Sequence, residues 1–511
     1  MTSEPLVIGL DSSTQSTKAI AWNAAGQVVA EGRADIAMNS PRLNWMEQDP
    51  EHWWQSCITA LKGCMRDLDP ARVQGLAISN QRETLGFVDK DGDATHPAIV
   101  WLDERSRAEV QSVAAQIGAD NIHRITGRPV DITPCLYRFQ WMKTHRPEVY
   151  QKTACFVDVQ CFLVKRLCGG DFRTGWISAD PMGLVDMETH EWSQELLEFL
   201  ELDTSRLPEL CAPGSQLGEV TAAAAEVTGL PPGLPVFAAG GDGQLAGLGT
   251  NCTIPDRAYI NLGTAVVSGI WSPEYRYHKA WRTELAAQGE GYIFESCLRS
   301  GAFLVNWFVE QFVAHGKADA AVFQRLEQAA LKIPIGADGL LLQPYFSGVM
   351  NPHWDIDARG VLLGLSGGHT DAHIYRAIIE GITLDQVRGT LDLETHAGQP
   401  ITHYVAIGGG ANSPLWRQML ADASGRPVHV SDTIEASALG AGMIAAFGAG
   451  WFSTITEAAD AMAGSTTPVE PQPTLQAVYQ ELLEIYQDVY TATADLNHRM
   501  VAFAAAQTDH R

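Results

Sequence analysis

The chain has 511 residues, 46% of them apolar and 19% charged, a balance that supplies a large core and excludes a disordered chain. Lys and Arg number 35 against 60 Asp and Glu, a formal net charge of -25, which lacks the electrostatic footprint of a nucleic-acid binder. At roughly 150 residues per domain the length predicts two large units or three smaller ones. The cysteines are nine, with no C-x-x-C pair, and predict free thiols in a reducing compartment. The opening MTSEPLVIGLD lacks a basic segment followed by an apolar one, so no leader is expected and a cytoplasmic setting is. The uncharged stretch from Ala436 to Thr456 is rich in Gly, Ser and Thr. It is expected as a buried, closely packed helix and not a membrane span.

In chain order, Leu6 to Leu10, Lys18 to Trp22 and Gln27 to Ala30 read as three short strands, the first pair joined by a hydroxyl-rich turn. Asp49-Pro50 opens a helix running from Glu51 to about Met65, with Asp49 as N-cap and Pro50 at the first helical position. Val73 to Ser79 reads as a strand leading into Asn80-Gln81-Arg82-Glu83. A second strand-turn-strand unit is expected from Pro235 to Ala239 through the turn Gly240 to Gln244. Arg257 to Leu262, Gly263-Thr264 and Val266 to Trp271 follow. Two such units predict an internal structural duplication, with a boundary near residues 247–257. A strand from Tyr404 to Ile407, a glycine turn and Ala-rich helices close the second half, and residues 474–507 read as an amphipathic helix packed on the body.

Five segments carry chemistry-bearing residues. In Asp11-Ser-Ser-Thr-Gln-Ser-Thr-Lys18, small hydroxyl residues let backbone amides approach phosphate oxygens. The carboxylate at a strand end can hold Mg2+, and Lys18 can neutralise a phosphate. In Gly240-Gly-Asp-Gly-Gln244 the carboxylate of Asp242 stands clear of bulk and can act as a general base. Gly408-Gly-Gly-Ala-Asn-Ser413 admits a flat ligand or a phosphate at a strand-to-helix turn. Gln81-Arg82-Glu83 and Trp101-Leu-Asp103-Glu-Arg105 suit a polyhydroxylated ligand. Taken singly, the hydroxyl turn, the Asp242 turn and the Arg/Glu segments are more often a plain turn or a surface ion-pair cluster, and the glycine run is as often a matter of tight packing.

Together, in this order, they resemble the FGGY carbohydrate kinases from about Leu6 to Trp451. Trp45-Met-Glu-Gln-Asp-Pro50 with Trp53-Trp54 looks like the family's early W-x-E-Q-D-P segment. Asp357-Ala-Arg-Gly360 through Leu365, with His373 to Glu380, is similar to its C-terminal signature. Gly408 to Asp422 and Glu435 to Ala441 resemble xylulokinases most. The resemblance implies an α/β fold of two ribonuclease-H-like domains, of the actin and hexokinase type, flanking a catalytic cleft. Residues 1–250 would carry the sugar site, the first phosphate turn and the base, and residues 251–511 the nucleotide site.

Carried over by position, Asp242 is the expected catalytic base, and Asp11 with Asp242 would attend Mg2+. ATP would meet Asp11, Thr14, Gln15, Lys18, Gly263, Thr264, Gly301, Gly409, Gly410 and Asn412. The sugar or polyol would meet Gln81, Arg82, Glu83, Trp101, Asp103, Asp242 and Gln244. The implied partners are ATP and a small sugar or polyol, with no nucleic acid and no membrane, and a homodimer is the family's common state.

Several positions depart from the family's pattern. Ser13 replaces the usual glycine of the first phosphate turn, and Cys135 and Arg138 alter the first signature. Asn80-Gln-Arg-Glu-Thr84 resembles glycerol kinases, yet Thr133, Gly243 and Val267 are smaller than a glycerol pocket expects, which implies a roomier site. A ketopentose kinase, a kinase of glycerol, a tetritol or a pentitol, and a nucleotide-dependent module without turnover remain as alternatives.

Overall fold

A computed structural model describes residues 4–433 and 435–508; the first three residues of the opening read for a leader lie outside it. Its first sheet uses β1 (Leu6–Ser12), β2 (Ser16–Trp22), β3 (Val28–Asp35), β4 (Val73–Asn80), β5 (Gln216–Glu219) and β6 (Pro235–Phe237). The order is β5-β6-β4-β1-β2-β3. β1 runs antiparallel to β2, with Asp11 opposite Lys18, and parallel to β4, with Asp11 opposite Ser79.

The second sheet uses β7 (Arg257–Leu262), β8 (Val266–Ser272), β9 (Arg282–Leu285), β10 (Tyr292–Leu298), β11 (His403–Ile407), β12 (Val428–Ser431) and β13 (Thr466–Val469). The order is β9-β10-β8-β7-β11-β12-β13. Here β7 runs antiparallel to β8 and parallel to β11, as β1 does to β2 and β4. Outward on one side the next pair is antiparallel in both sheets, and on the other side parallel. The duplication expected from sequence is therefore present as topology. A half-buried strand needs only alternating apolar residues, so two sheets share an order without sharing residues.

The helices begin where the sequence signals them. α1 (Pro50–Met65) has Pro50 in its first turn, and Asp49 caps it by accepting from the Glu51 amide. Trp53, Cys57, Ala60, Leu61 and Cys64 of α1 are buried against β1, β2 and β4. One expectation fails locally. Asp242 does not lie in a hairpin turn; it opens α2 (Asp242–Gly249), with Gly241 at the N-cap. Leu245, Ala246 and Leu248 are spaced for a helix face, and all three are buried.

α3 (Ala302–Phe308) and α4 (Asp371–Ala397) follow; Arg376 and Glu380 pair along α4 at 2.9 Å. α5 (Pro414–Ser424) starts under the cap of Ser413. The apolar stretch after Glu435 divides into α6 (Ala436–Gly448), buried along most of its length, and α7 (Ile455–Met462). It is shorter than a single helix over the whole stretch because Gly448 and Gly450 end α6, the latter at φ +81°. α8 (Pro473–Thr508) lies on the second half through Tyr479, Leu483, Tyr486 and Val489. No described helix is long and apolar enough to cross a membrane.

α2 and α6 follow the equivalent strands β6 and β12 of the two sheets, and they cross face to face. A Cβ on Gly440 would stand 2.1 Å from the Leu245 carbonyl, and one on Gly249 2.1 Å from that of Ala436. Around this crossing Val7, Ile20 and Ala77 of the first sheet pack with Leu245, Leu439, Met443 and Ile444. The first sheet thus buries one face on α1 and the other on helices from both halves of the chain.

Candidate active site

The site gathers at the carboxyl ends of the parallel strands, where α/β sheets bind ligands. The Asn80 amide donates to the Gly240 carbonyl at 2.9 Å, and the Gln81 amide to that of Ser12 at 2.9 Å. The turn at residues 11–18, the Gln81-Arg-Glu83 segment and the Gly240-Gly-Asp-Gly turn are thereby tied together.

Asp242 is the most open carboxylate of this group, with its side chain 36% exposed. Its Oδ1 accepts from the Gly243 amide at 2.8 Å, and Arg82 Nε lies 3.3 Å away. Burial pushes the Asp242 carboxyl up to about 7, against the pull of Arg82; Asp11 and Glu83 add to the rise. A carboxylate so poised is an effective proton acceptor at neutral pH. The glycines of the turn follow from Arg82. A Cβ on Gly243 would stand 2.7 Å from Cζ of Arg82, and one on Gly241 2.8 Å from its Cδ. The arginine lies flat over the turn.

Arg82 is itself clamped. Its Nη1 donates to both oxygens of Glu284 at 2.6 Å and to Glu295 at 3.1 Å. Burial works against the cation, but Glu284 and Glu295, with Glu83 and Asp242, hold it charged. Glu83 has φ +47°, a strained conformation for a non-glycine residue. Its Oε1 accepts from Arg282 at 2.9 Å and Arg128 at 3.3 Å.

Asp11 is buried at the end of β1, and Ser79 donates to it at 2.7 Å. Burial raises its carboxyl above the ordinary value of 3.8, while Ser79 and Lys18 pull the other way. Lys18 pairs with Glu435, just before α6. Thr14 accepts from the Trp101 indole at 2.9 Å, and Gln15 is exposed in the same turn. Asp11 adds to the charge that raises Asp242, and hard oxygen donors of this kind fit Mg2+, which takes one or two carboxylates and completes its shell with phosphate and water. Among the described residues no three His, Cys, Asp or Glu side chains form a denser metal cluster.

The nucleotide-side segments also converge. The Gly301 and Ala302 amides donate to Thr264 and Gly263 carbonyls at 2.9 and 2.8 Å. Thr264 and Asn412 are exposed. A Cβ on Gly409 would meet open space, whereas one on Gly410 would stand 2.7 Å from the Trp416 ring and 2.8 Å from Leu262. Gly409 thus offers a bare face, while Gly410 lets the turn pack on the end of β7.

Four expected sugar-side residues have polar groups engaged within the protein. Asp103 is fully buried, bound by the Met46 amide at 2.6 Å and by Arg105 at 2.7 Å. Trp101 braces the first turn through Thr14. Gln244 is buried with its amide 3.1 Å from Asp180, and its Oε1 has no hydrogen-bond partner among the described residues. Gln81 donates to Gln48 at 2.8 Å.

Sequence reasoning missed two features. Gln48, inside the W-x-E-Q-D-P segment, accepts from Trp53 and Gln81 and donates to the Thr14 carbonyl at 2.6 Å; its place in that segment was the available signal. Arg128, Asp180, Arg282, Glu284 and Glu295 form the buried charges around Arg82, and no local pattern marks them. The nine cysteines are free, as expected.

Two repeated sheets with a carboxylate and glycine turns at their strand ends define a sugar kinase of the actin and hexokinase type. The FGGY family of carbohydrate kinases matches through its N-terminal domain at residues 6–249 and its C-terminal domain at residues 258–449. The chain belongs to this family and is an ATP-dependent carbohydrate kinase, as its motifs implied, which sets aside the module without turnover. It is 30% identical to the xylulose kinase of Bacillus subtilis (strain 168) over 504 residues, covering 97% of this chain and 99% of that one. It is 28% identical over 475 residues to the glycerol kinase of Ralstonia pickettii (strain 12J), covering 90% and 93%. The crystal structure of xylulose kinase from Rhodospirillum rubrum matches with a TM-score of 0.87 at 26% identity, covering 96% of this chain and all of that one.

Proposed function

We propose that the protein transfers the γ-phosphoryl group of ATP to a hydroxyl of a ketopentose, D-xylulose giving D-xylulose 5-phosphate, with Asp242 as general base. The observation that carries this reading is the half-open Asp242 carboxylate at the start of α2, raised to about 7 and faced by Arg82. Full-length similarity to xylulose kinases supports the acceptor class. Asp242 accepts the hydroxyl proton as the new P–O bond forms. Asp11 and Asp242 are the residues that would hold Mg2+, which when bound offsets phosphate charge. The amides at Gly263 and Thr264, in a turn that the Gly301 and Ala302 amides hold, and the bare face of Gly409 cradle the nucleotide.

A polyol acceptor is the second reading, favoured by Asn80-Gln-Arg-Glu83 and by similarity to a glycerol kinase. A homodimer in a reducing, cytoplasmic setting completes the proposal, and the nine free thiols support that setting.

The test is MgATP-dependent ADP release with D-xylulose, L-xylulose, D- and L-ribulose, glycerol, erythritol and xylitol, with Asp242→Asn as blank. D-xylulose is expected to give the strongest response, and Asp242→Asn to fold and lose turnover by about a hundredfold or more. A response to polyols alone replaces the acceptor, and near-parent turnover in Asp242→Asn removes the base.

A further inference from the structure

Two of the carboxylates that hold Arg82 come from the other half of the chain. Glu284 lies on β9 and Glu295 on β10, and both are fully buried. Arg282, opposite Glu295 in the β9–β10 register, donates to it through Nε at 2.5 Å and reaches across to Glu83 at 2.9 Å. Tyr259 of β7 donates to the far oxygen of Glu295 at 3.0 Å. Arg128 joins Glu83 to Glu284 at 3.3 and 3.2 Å. Three arginines and three glutamates therefore form one network, with Arg82, Arg128 and Glu83 from the first half of the chain and Arg282, Glu284 and Glu295 from the second, and with Asp242 on Arg82 and Asp180 on Arg128 at its edge.

Desolvating six charges is expensive, and apolar side chains would fill such a junction at lower cost. What the network supplies is orientation. It consumes Nη1 of Arg82 and Oε1 of Glu83 and leaves two polar atoms over. Among the described residues, Nη2 of Arg82 and Oε2 of Glu83 make no hydrogen bond. One donor and one acceptor, held rigidly beside Asp242, are what a hydroxylated chain requires.

We propose that Glu284, Glu295 and Arg282 of the β9–β10 hairpin are positioning residues that fix Arg82 and Glu83 so as to present Nη2 and Oε2 to the hydroxyls of the acceptor. The acceptor site is thus built by both halves of the chain, although the residues that touch the acceptor lie in the first. This inference rests on the reading of Arg82 and Glu83 as the acceptor-binding pair.

The test is steady-state kinetics of Glu295→Gln, Glu295→Asp and Tyr259→Phe with D-xylulose and MgATP, with glycerol and xylitol run beside them. Glu295→Gln is expected to raise the D-xylulose KM about tenfold, the scale of one charge-assisted hydrogen bond, with the MgATP KM within about twofold. Glu295→Asp, which keeps the charge, should recover most of the loss. Tyr259→Phe keeps every charge and removes one of the two donors to Oε2 of Glu295, leaving Arg82 as the other; it should show the same split at about threefold, and it decides the matter if Glu295→Gln does not fold. Both KM values moving together, or neither moving, in variants with parent circular dichroism overturns the positioning role while leaving Asp242 as base. Silence of the parent enzyme on all three acceptors overturns the acceptor reading and this inference with it.

Discussion

Arg82 spends one guanidinium on two tasks. Nη1 is committed to Glu284 and Glu295, and Nε faces Asp242. Arg82→Ala is therefore expected to raise the acceptor KM more than about tenfold, with a much smaller change for ATP. It also strands two buried carboxylates, a cost of about 3 kcal/mol or more. Arg82→Lys, which keeps the charge but cannot reach Nε and Nη1 contacts at once, separates the two effects when KM and melting temperature are measured together. An unchanged acceptor KM in both variants returns Arg82 to a purely structural role. Asp242, the turn at residues 11–18 and the Arg82-Glu83 pair could be picked out as candidates from sequence because each sits in a short contiguous motif. Asp103 and Gln244 show the converse. A carboxylate beside a tryptophan and a glutamine beside the base look like ligand contacts in one dimension, yet their partners are Met46, Arg105 and Asp180.

At the scale of elements, the crossing of α2 and α6 depends on residues without side chains. Any Cβ on Gly440 would collide with the Leu245 carbonyl, which is backbone and cannot rotate away. Gly440→Ala is expected to lower stability by about 1–3 kcal/mol, the usual cost of overpacking, although alanine is the better helix former. Calorimetry that finds the variant as stable as the parent, or more so, would show that the two helices part freely. The same crossing explains the short helix where the sequence suggested a hairpin turn. Glycines at 240, 241 and 243 read as a turn, and only packing against α6, with Ser437 donating to the Asp242 carbonyl at 2.9 Å, makes the following residues a helix.

For the whole molecule, the two halves are joined by charge as well as by packing. Arg299, after β10, pairs with Asp131 of the first half at 2.7 Å, both nearly buried. Burial pushes the Asp131 carboxyl up, but Arg299 and Thr133 together pull it below its ordinary value of 3.8. A carboxyl lowered in the folded state binds fewer protons than in the unfolded one. Its contribution is therefore complete above about 3.8 and is lost as pH falls through the lower folded value. Asp131→Asn should cost about 3 kcal/mol at neutral pH, because Arg299 is left buried and uncompensated. The difference from the parent should shrink as unfolding is followed below pH 3.8. A difference that stays constant with pH would show that the pair is lost for steric reasons alone.

Alternating apolar strands, capped helix starts and glycine turns are local signals, governed by backbone propensity and side-chain spacing, and they were enough to specify the repeated strand-turn-strand units, while the contiguous motifs pointed to the family. Gln48 and Glu295 act across separations of 33 residues, to Gln81, and 213, to Arg82. Contacts of that kind leave no period or spacing behind, because chain reversal decides which buried charge meets which. Sequence proposed the candidate site residues; only the tertiary structure decided what holds them in place, since a desolvated guanidinium takes its partners from whichever carboxylates the fold brings within reach.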